Sequence, residues 1–142
     1  MTDTTSVRPR VGTRLPTRTF VISRADLMRY CGATADFTAI HWNERVARAV
    51  GLPDVIAHGT LTVSRALHVV TDWLGDPGAL VEYEVERFAR PLAVPDDDTG
   101  ATLQVDGEVT EVGDGRAVLR LTIGSGGQTV VSGLRVVVRL PS

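Results

Sequence analysis

Three histidines in this chain have side chains suited to proton transfer near neutral pH, and their surroundings differ sharply. Histidines occur only at 41, 58 and 68. His41 follows Asp36 by five residues, in a stretch between helical patterns where a carboxylate and an imidazole can be aimed at one point. Such a pair suits addition or elimination of water: one group moves a carbon-bound proton while the other handles the hydroxyl. The same D-x4-H spacing also suits a structural role, with Asp36 capping the loop. His58 and Gly59 stand where a long apolar helix begins, and backbone N–H groups there are unpaired and lie at the positive end of the helix dipole. They suit an oxyanion, and a glycine lets a ligand carbonyl approach; a tight packing contact would equally require Gly59. His68 lies within the helix with no partner evident nearby.

Other chemistries find less support. The histidines do not fall at short metal-ligand spacings and the carboxylates form no cluster, so no metal is expected. There is no G-x-S-x-G, and Ser64 sits inside a helix rather than on a strained turn. Cys31 is the sole cysteine, which excludes an internal disulfide and a cysteine-based zinc cluster; it reads as a small buried apolar residue. No cofactor is implied.

The elements that must position these groups follow from patterning. Thr17 to Ser23 reads as a strand. Ser23 then caps a short helix with Asp26 at its third position, ending near Gly32. Asn43 caps a second short helix, ERVARAV, closed by Gly51 and Pro53. From Gly59 to Trp73, apolar residues surround most of the circumference, predicting a buried helix. Residues 80 to 90 alternate apolar and charged, as a half-buried strand does. Strands near 101–111, 116–124 and 128–139 follow, separated by Gly-rich turns and predicting a meander. The order implies an α+β fold, an antiparallel sheet wrapped round one helix, with an open sheet edge that dimerisation would cover.

The 142 residues fit one domain, expected over 11–142 behind a flexible tail at 1–10, and the 43% apolar content is ample for a core. A net charge of −2 without a dense basic stretch argues against nucleic acid as partner. Neither a signal peptide nor a membrane span is apparent, so a cytoplasmic protein is expected.

The run YCGATADFTAIHWNERVARAVGLPDVIAHGTLT resembles the hydratase motif of the MaoC-like family. There a Gly-Asp-x-Asn-Pro-Leu/Ile-His block precedes a helix and then Ala-His-Gly at the start of the central helix. VGTRLP and RFARPLAVPDD also look like that family, so the resemblance covers nearly the whole chain. It is similar in particular to catalytic subunits of heterodimeric (3R)-hydroxyacyl carrier-protein dehydratases. The resemblance implies the hot-dog fold, Asp36 and His41 as catalytic pair, Gly59 and His58 at the oxyanion and substrate subsite, and Ser64 as a positioning group. It further implies acyl-CoA or acyl-carrier-protein substrates and a homodimer or a heterodimer with a second hot-dog subunit. Ala35, Thr38 and Ala39 depart from the usual Gly, Asn and Pro. Two competing readings share the fold, a thioesterase and a non-catalytic acyl-binding subunit.

Overall fold

The computed structural model describes residues 8–142. The expected tail therefore lies mostly outside the described residues; of its last three, Pro9 is buried and Arg10 joins a turn with Thr13.

Five strands form one antiparallel sheet: β1 (Arg18–Ile22), β2 (Leu80–Phe88), β3 (Ala101–Gly113), β4 (Arg116–Ser125) and β5 (Gln128–Arg139), in the order β1-β3-β4-β5-β2. The expected meander is β3 to β5. Its inward positions are mostly Val, Leu and Ile, among them Leu103, Val105, Leu119, Leu121, Ile123, Leu134 and Val136, all essentially inaccessible. β-branched and large aliphatic side chains suit a pleated face that must be filled on one side.

Against this face lies the long helix α3 (Gly59–Leu74). Leu61, Val63, Ala66, Val69 and Val70 are buried, while Thr60, Ser64, His68 and Asp72, spaced four apart, form its exposed stripe. The helix is thus buried on a broad side rather than all round. His68 does have a partner. Asp72, one turn along, places Oδ1 3.1 Å from His68 Nε2 on the exposed stripe.

The shorter helices are α1 (Arg24–Thr34) and α2 (Glu44–Ala49). Ser23 and Asp26 form the expected reciprocal capping box at α1, worth about 1 kcal/mol. The helix runs past Gly32 and stops at Ala35, which adopts φ 57° and ψ 21°. That left-handed conformation ends the helix and turns the chain toward Asp36. Asn43 caps α2 by accepting from the Val46 amide.

β2 differs from expectation. Its alternation predicts a half-buried strand, yet every residue but Val85 is exposed. As an edge strand it pairs with β5 alone among the described residues, which leaves its other edge free of them.

Candidate active site

The segment after α1 is held by short local bonds. Asp36 Oδ1 accepts from the Thr38 amide at 3.1 Å and the Thr38 hydroxyl at 2.6 Å. These bonds, the hydroxyl first, hold the Asp36 carboxyl below its ordinary range, so it is ionised at neutral pH. Thr38 thereby supplies Asp36 with a side-chain donor. A single 3-10 turn, Ala39–His41, follows, and the Trp42 indole closes the loop by donating to the Phe37 carbonyl at 2.8 Å. Thr38 has ψ 126°, an extended geometry that proline at 39 would also permit.

Residues 55–57 run as a short extended link between two neighbours. The Ile56 amide donates to the Ile40 carbonyl at 3.1 Å, and the Ala57 amide to the Leu92 carbonyl at 2.9 Å. This link brings His58 under His41. The two rings stack, with centroids 3.7 Å apart and planes 20° from parallel.

His41 is half-buried, with Nδ1 2.7 Å from the Ile56 carbonyl. A carbonyl only accepts, so in the neutral ring Nδ1 carries the hydrogen and Nε2 the lone pair. His58 is 2% exposed, and burial lowers its basicity. Its Nε2 lies 3.2 Å from the Asp36 carbonyl and 3.7 Å from Cys31 Sγ, and Nδ1 has no partner. The Cys31 thiol is buried, as expected; burial and then the nearby Asp36 charge raise its pKa, which keeps it protonated.

Asp36, His41 and His58 each place one potential ligand atom within 4.8 Å of the others. Sequence spacing gave no sign of this cluster. The two rings lie in separate, nearly parallel planes, so their in-plane lone pairs do not readily meet at one point, a poor arrangement for a tetrahedral metal ion.

These residues line a cavity of about 450 Å³ with Gly59, Thr60, Thr62, Ile56, Phe88 and Arg90. The first amides of α3 have no acceptor within the helix. Gly59 also faces a packing demand. A Cβ there would lie 2.6 Å from Phe88 Cε1, so the aromatic ring occupies the side-chain direction and would have to shift for any larger residue. Ser64 is not brought to the cavity. It lies one turn further on the exposed stripe, and its hydroxyl donates to the Thr60 carbonyl at 2.7 Å.

Sequence reasoning named no function for Thr60, Thr62, Phe88 or Arg90. Thr62 is buried and donates to the Gly59 carbonyl at 2.7 Å; the Tyr30 hydroxyl donates to Thr60 Oγ1 at 2.8 Å. The RFARPLAVPDD segment was the available signal for Phe88 and Arg90.

Residues 6–130 match the family of the MaoC like domain. The chain belongs to the MaoC-like family. Its fold is the hot dog, the sheet wrapping α3. One curated relative is "3-hydroxyacyl-thioester dehydratase X" of Mycobacterium tuberculosis, 35% identical over 80 residues, which is 56% of this chain and 27% of that protein. Another is "(R)-specific enoyl-CoA hydratase" of Rhodospirillum rubrum, 32% identical over 90 residues, 63% of this chain and 62% of that one. Among solved structures, a "MaoC-like dehydratase" superposes with TM-score 0.87 at 34% identity, covering 93% of this chain and 41% of its own. This MaoC-like chain therefore spans only part of the length of these three relatives. No helix among its described residues is long and apolar enough to cross a membrane.

Proposed function

We propose that this MaoC-like protein is a hydro-lyase that interconverts (3R)-hydroxyacyl and enoyl thioesters. The observation that carries the reading is the convergence of Asp36 and His41 in one cavity with the N-terminus of α3. Relatives named as a dehydratase and a hydratase support it.

The mechanism follows from the charge states. In hydration, the thioester oxygen accepts from the Gly59 amide, which lowers the cost of enolate charge. A water molecule gives a proton to His41 Nε2 while its oxygen bonds to C3. The π electrons of the C2–C3 bond move toward the thioester oxygen. His41 then returns the proton to C2, and neutral imidazole is restored. Asp36, already ionised, accepts the water's second hydrogen bond and stabilises the transient imidazolium. Dehydration is the reverse. No cofactor takes part.

The substrate is an acyl-CoA or acyl-carrier-protein thioester. The second subunit, identical or not, covers the free edge of β2, where Leu80, Val81, Tyr83 and Phe88 are exposed. A cytoplasmic setting accords with such substrates. The thioesterase alternative gains nothing from α3, whose one carboxylate, Asp72, is exposed and paired with His68.

The test is to mix the purified protein with crotonyl-CoA. Loss of the enoyl absorbance with formation of (R)-3-hydroxybutyryl-CoA and no free thiol supports the hydratase. Free thiol release would replace it with a thioesterase.

A further inference from the structure

His58 differs from every other polar side chain of the site in touching several parts of it at once. Its own carbonyl accepts from the Leu61 amide at 3.0 Å and the Thr62 amide at 3.4 Å, so its backbone starts α3 and fixes where the Gly59 amide stands. Its Nε2 reaches the Asp36 carbonyl at 3.2 Å. Its ring face backs His41 at 3.7 Å. On another side, Tyr30 packs against it, tilted by 57° with centroids 4.7 Å apart. Cys31 Sγ lies 3.7 Å from Nε2. With 2% exposure, the imidazole is not available to substrate as an open surface group.

We infer that His58 is a positioning residue: a neutral imidazole whose Nε2–H tethers the backbone of Asp36 and whose face supports His41, holding both in register with the Gly59 amide. The inference rests on the proposal that Asp36 and His41 are the reacting pair. It replaces a substrate-binding role for His58.

The tautomer follows from the partners. The Asp36 carbonyl can only accept, so the hydrogen sits on Nε2, and the unpartnered Nδ1 is the bare nitrogen of a neutral ring. A second charge stacked on His41 would oppose the imidazolium formed in turnover, so neutrality at 58 serves the mechanism. Packing alone would be satisfied by phenylalanine. Only a flat ring with a donor at the ε position serves both neighbours.

Two substitutions separate these functions. His58→Phe keeps a flat ring and removes the donor; His58→Gln restores an amide N–H near the ε position and removes the ring. Misplacement of a catalytic group by about 1 Å costs roughly 100-fold in rate. We therefore expect His58→Phe to lower kcat for crotonyl-CoA hydration by about 10- to 100-fold with KM changed less than about threefold. His58→Gln should recover a large part of that loss. Independently of turnover, amide hydrogen exchange across residues 36–41 should quicken in His58→Phe and return toward the wild-type rate in His58→Gln.

Wild-type kcat together with wild-type exchange in His58→Phe would overturn the inference while leaving the hydratase reading intact. An inactive wild type would instead count against that reading, and the exchange data would still decide the role of His58. Should His58→Phe not fold, His58→Leu beside His58→Gln carries the test: faster exchange over 36–41 in His58→Leu than in His58→Gln supports the tether, and wild-type exchange in both overturns it.

Discussion

Histidine stands beside aspartate in two regions of this chain, at Asp36 and His41 before α3 and at His68 and Asp72 near its far end. The second pair is the closer match to a salt bridge, 3.1 Å apart, yet its side chains are 63% and 53% exposed. Exposed pairs of this spacing contribute only about 0.3–0.5 kcal/mol. The first pair is set apart by its surroundings: His41 is tethered at Nδ1, backed by a buried imidazole and aimed into a cavity that ends on helix amides. Residue type is shared; tautomer control, partial burial of the histidine and a site for developing negative charge are not.

The sharpest way to break this contrast is at Asp36. Asp36→Asn should lower turnover by about two to four orders of magnitude, whereas Asp72→Asn should change it less than about twofold; steady-state hydration assays of both decide. Gly59→Ala comes next. A methyl group in the space held by Phe88 should cost about 1–3 kcal/mol in urea unfolding, and Phe88→Ala in the same chain should recover most of it.

A smaller effect is expected with pH. His58, faced by Asp36, His41, Cys31 and Tyr30, titrates below its ordinary value of 6.5, chiefly because of burial. Below 6.5 the unfolded chain binds a proton at this residue that the folded chain refuses. Stability is therefore full above 6.5 and declines as pH falls toward the lowered native value. The urea midpoint of the wild type should drop more between about pH 7.5 and about pH 5.5 than that of His58→Phe, and equal drops would refute this assignment. The smallest effect concerns Ala35. Relief of its left-handed backbone in Ala35→Gly should raise stability by about 0.5–1 kcal/mol, after the entropy that glycine adds to the unfolded chain.

Much of the fold is legible because local and global signals agree. The Ser23–Asp26 box, the Asn43 cap and the three Gly-separated strands each coincide with the element found. Where they diverge, tertiary context decides. Alternation in 80–90 marks a strand but not its place, and an edge position leaves both of its faces largely open. The end of α1 escaped prediction because alanine at 35 takes the conformation that a glycine usually marks. For the site, Asp36, His41 and Gly59 were visible as a motif. The stacking of His58 on His41 was not, since it depends on the bond between Ile56 and Ile40 that folds one segment under the other. Ser64 illustrates the reverse: its position on α3 was legible, but helix geometry sets it one turn beyond Thr60 on the exposed stripe. The partner of His68 was in view at i+4 and is a matter of helix geometry.

The central claim is that position, not residue type, makes one of these histidines catalytic. It is tested most directly by measuring crotonyl-CoA hydration by the wild type, His41→Ala and His68→Ala under one set of conditions. The account predicts an active wild type, loss of about two to four orders of magnitude in His41→Ala and little change in His68→Ala. Retained activity in His41→Ala, or an equal loss in His68→Ala, would contradict it.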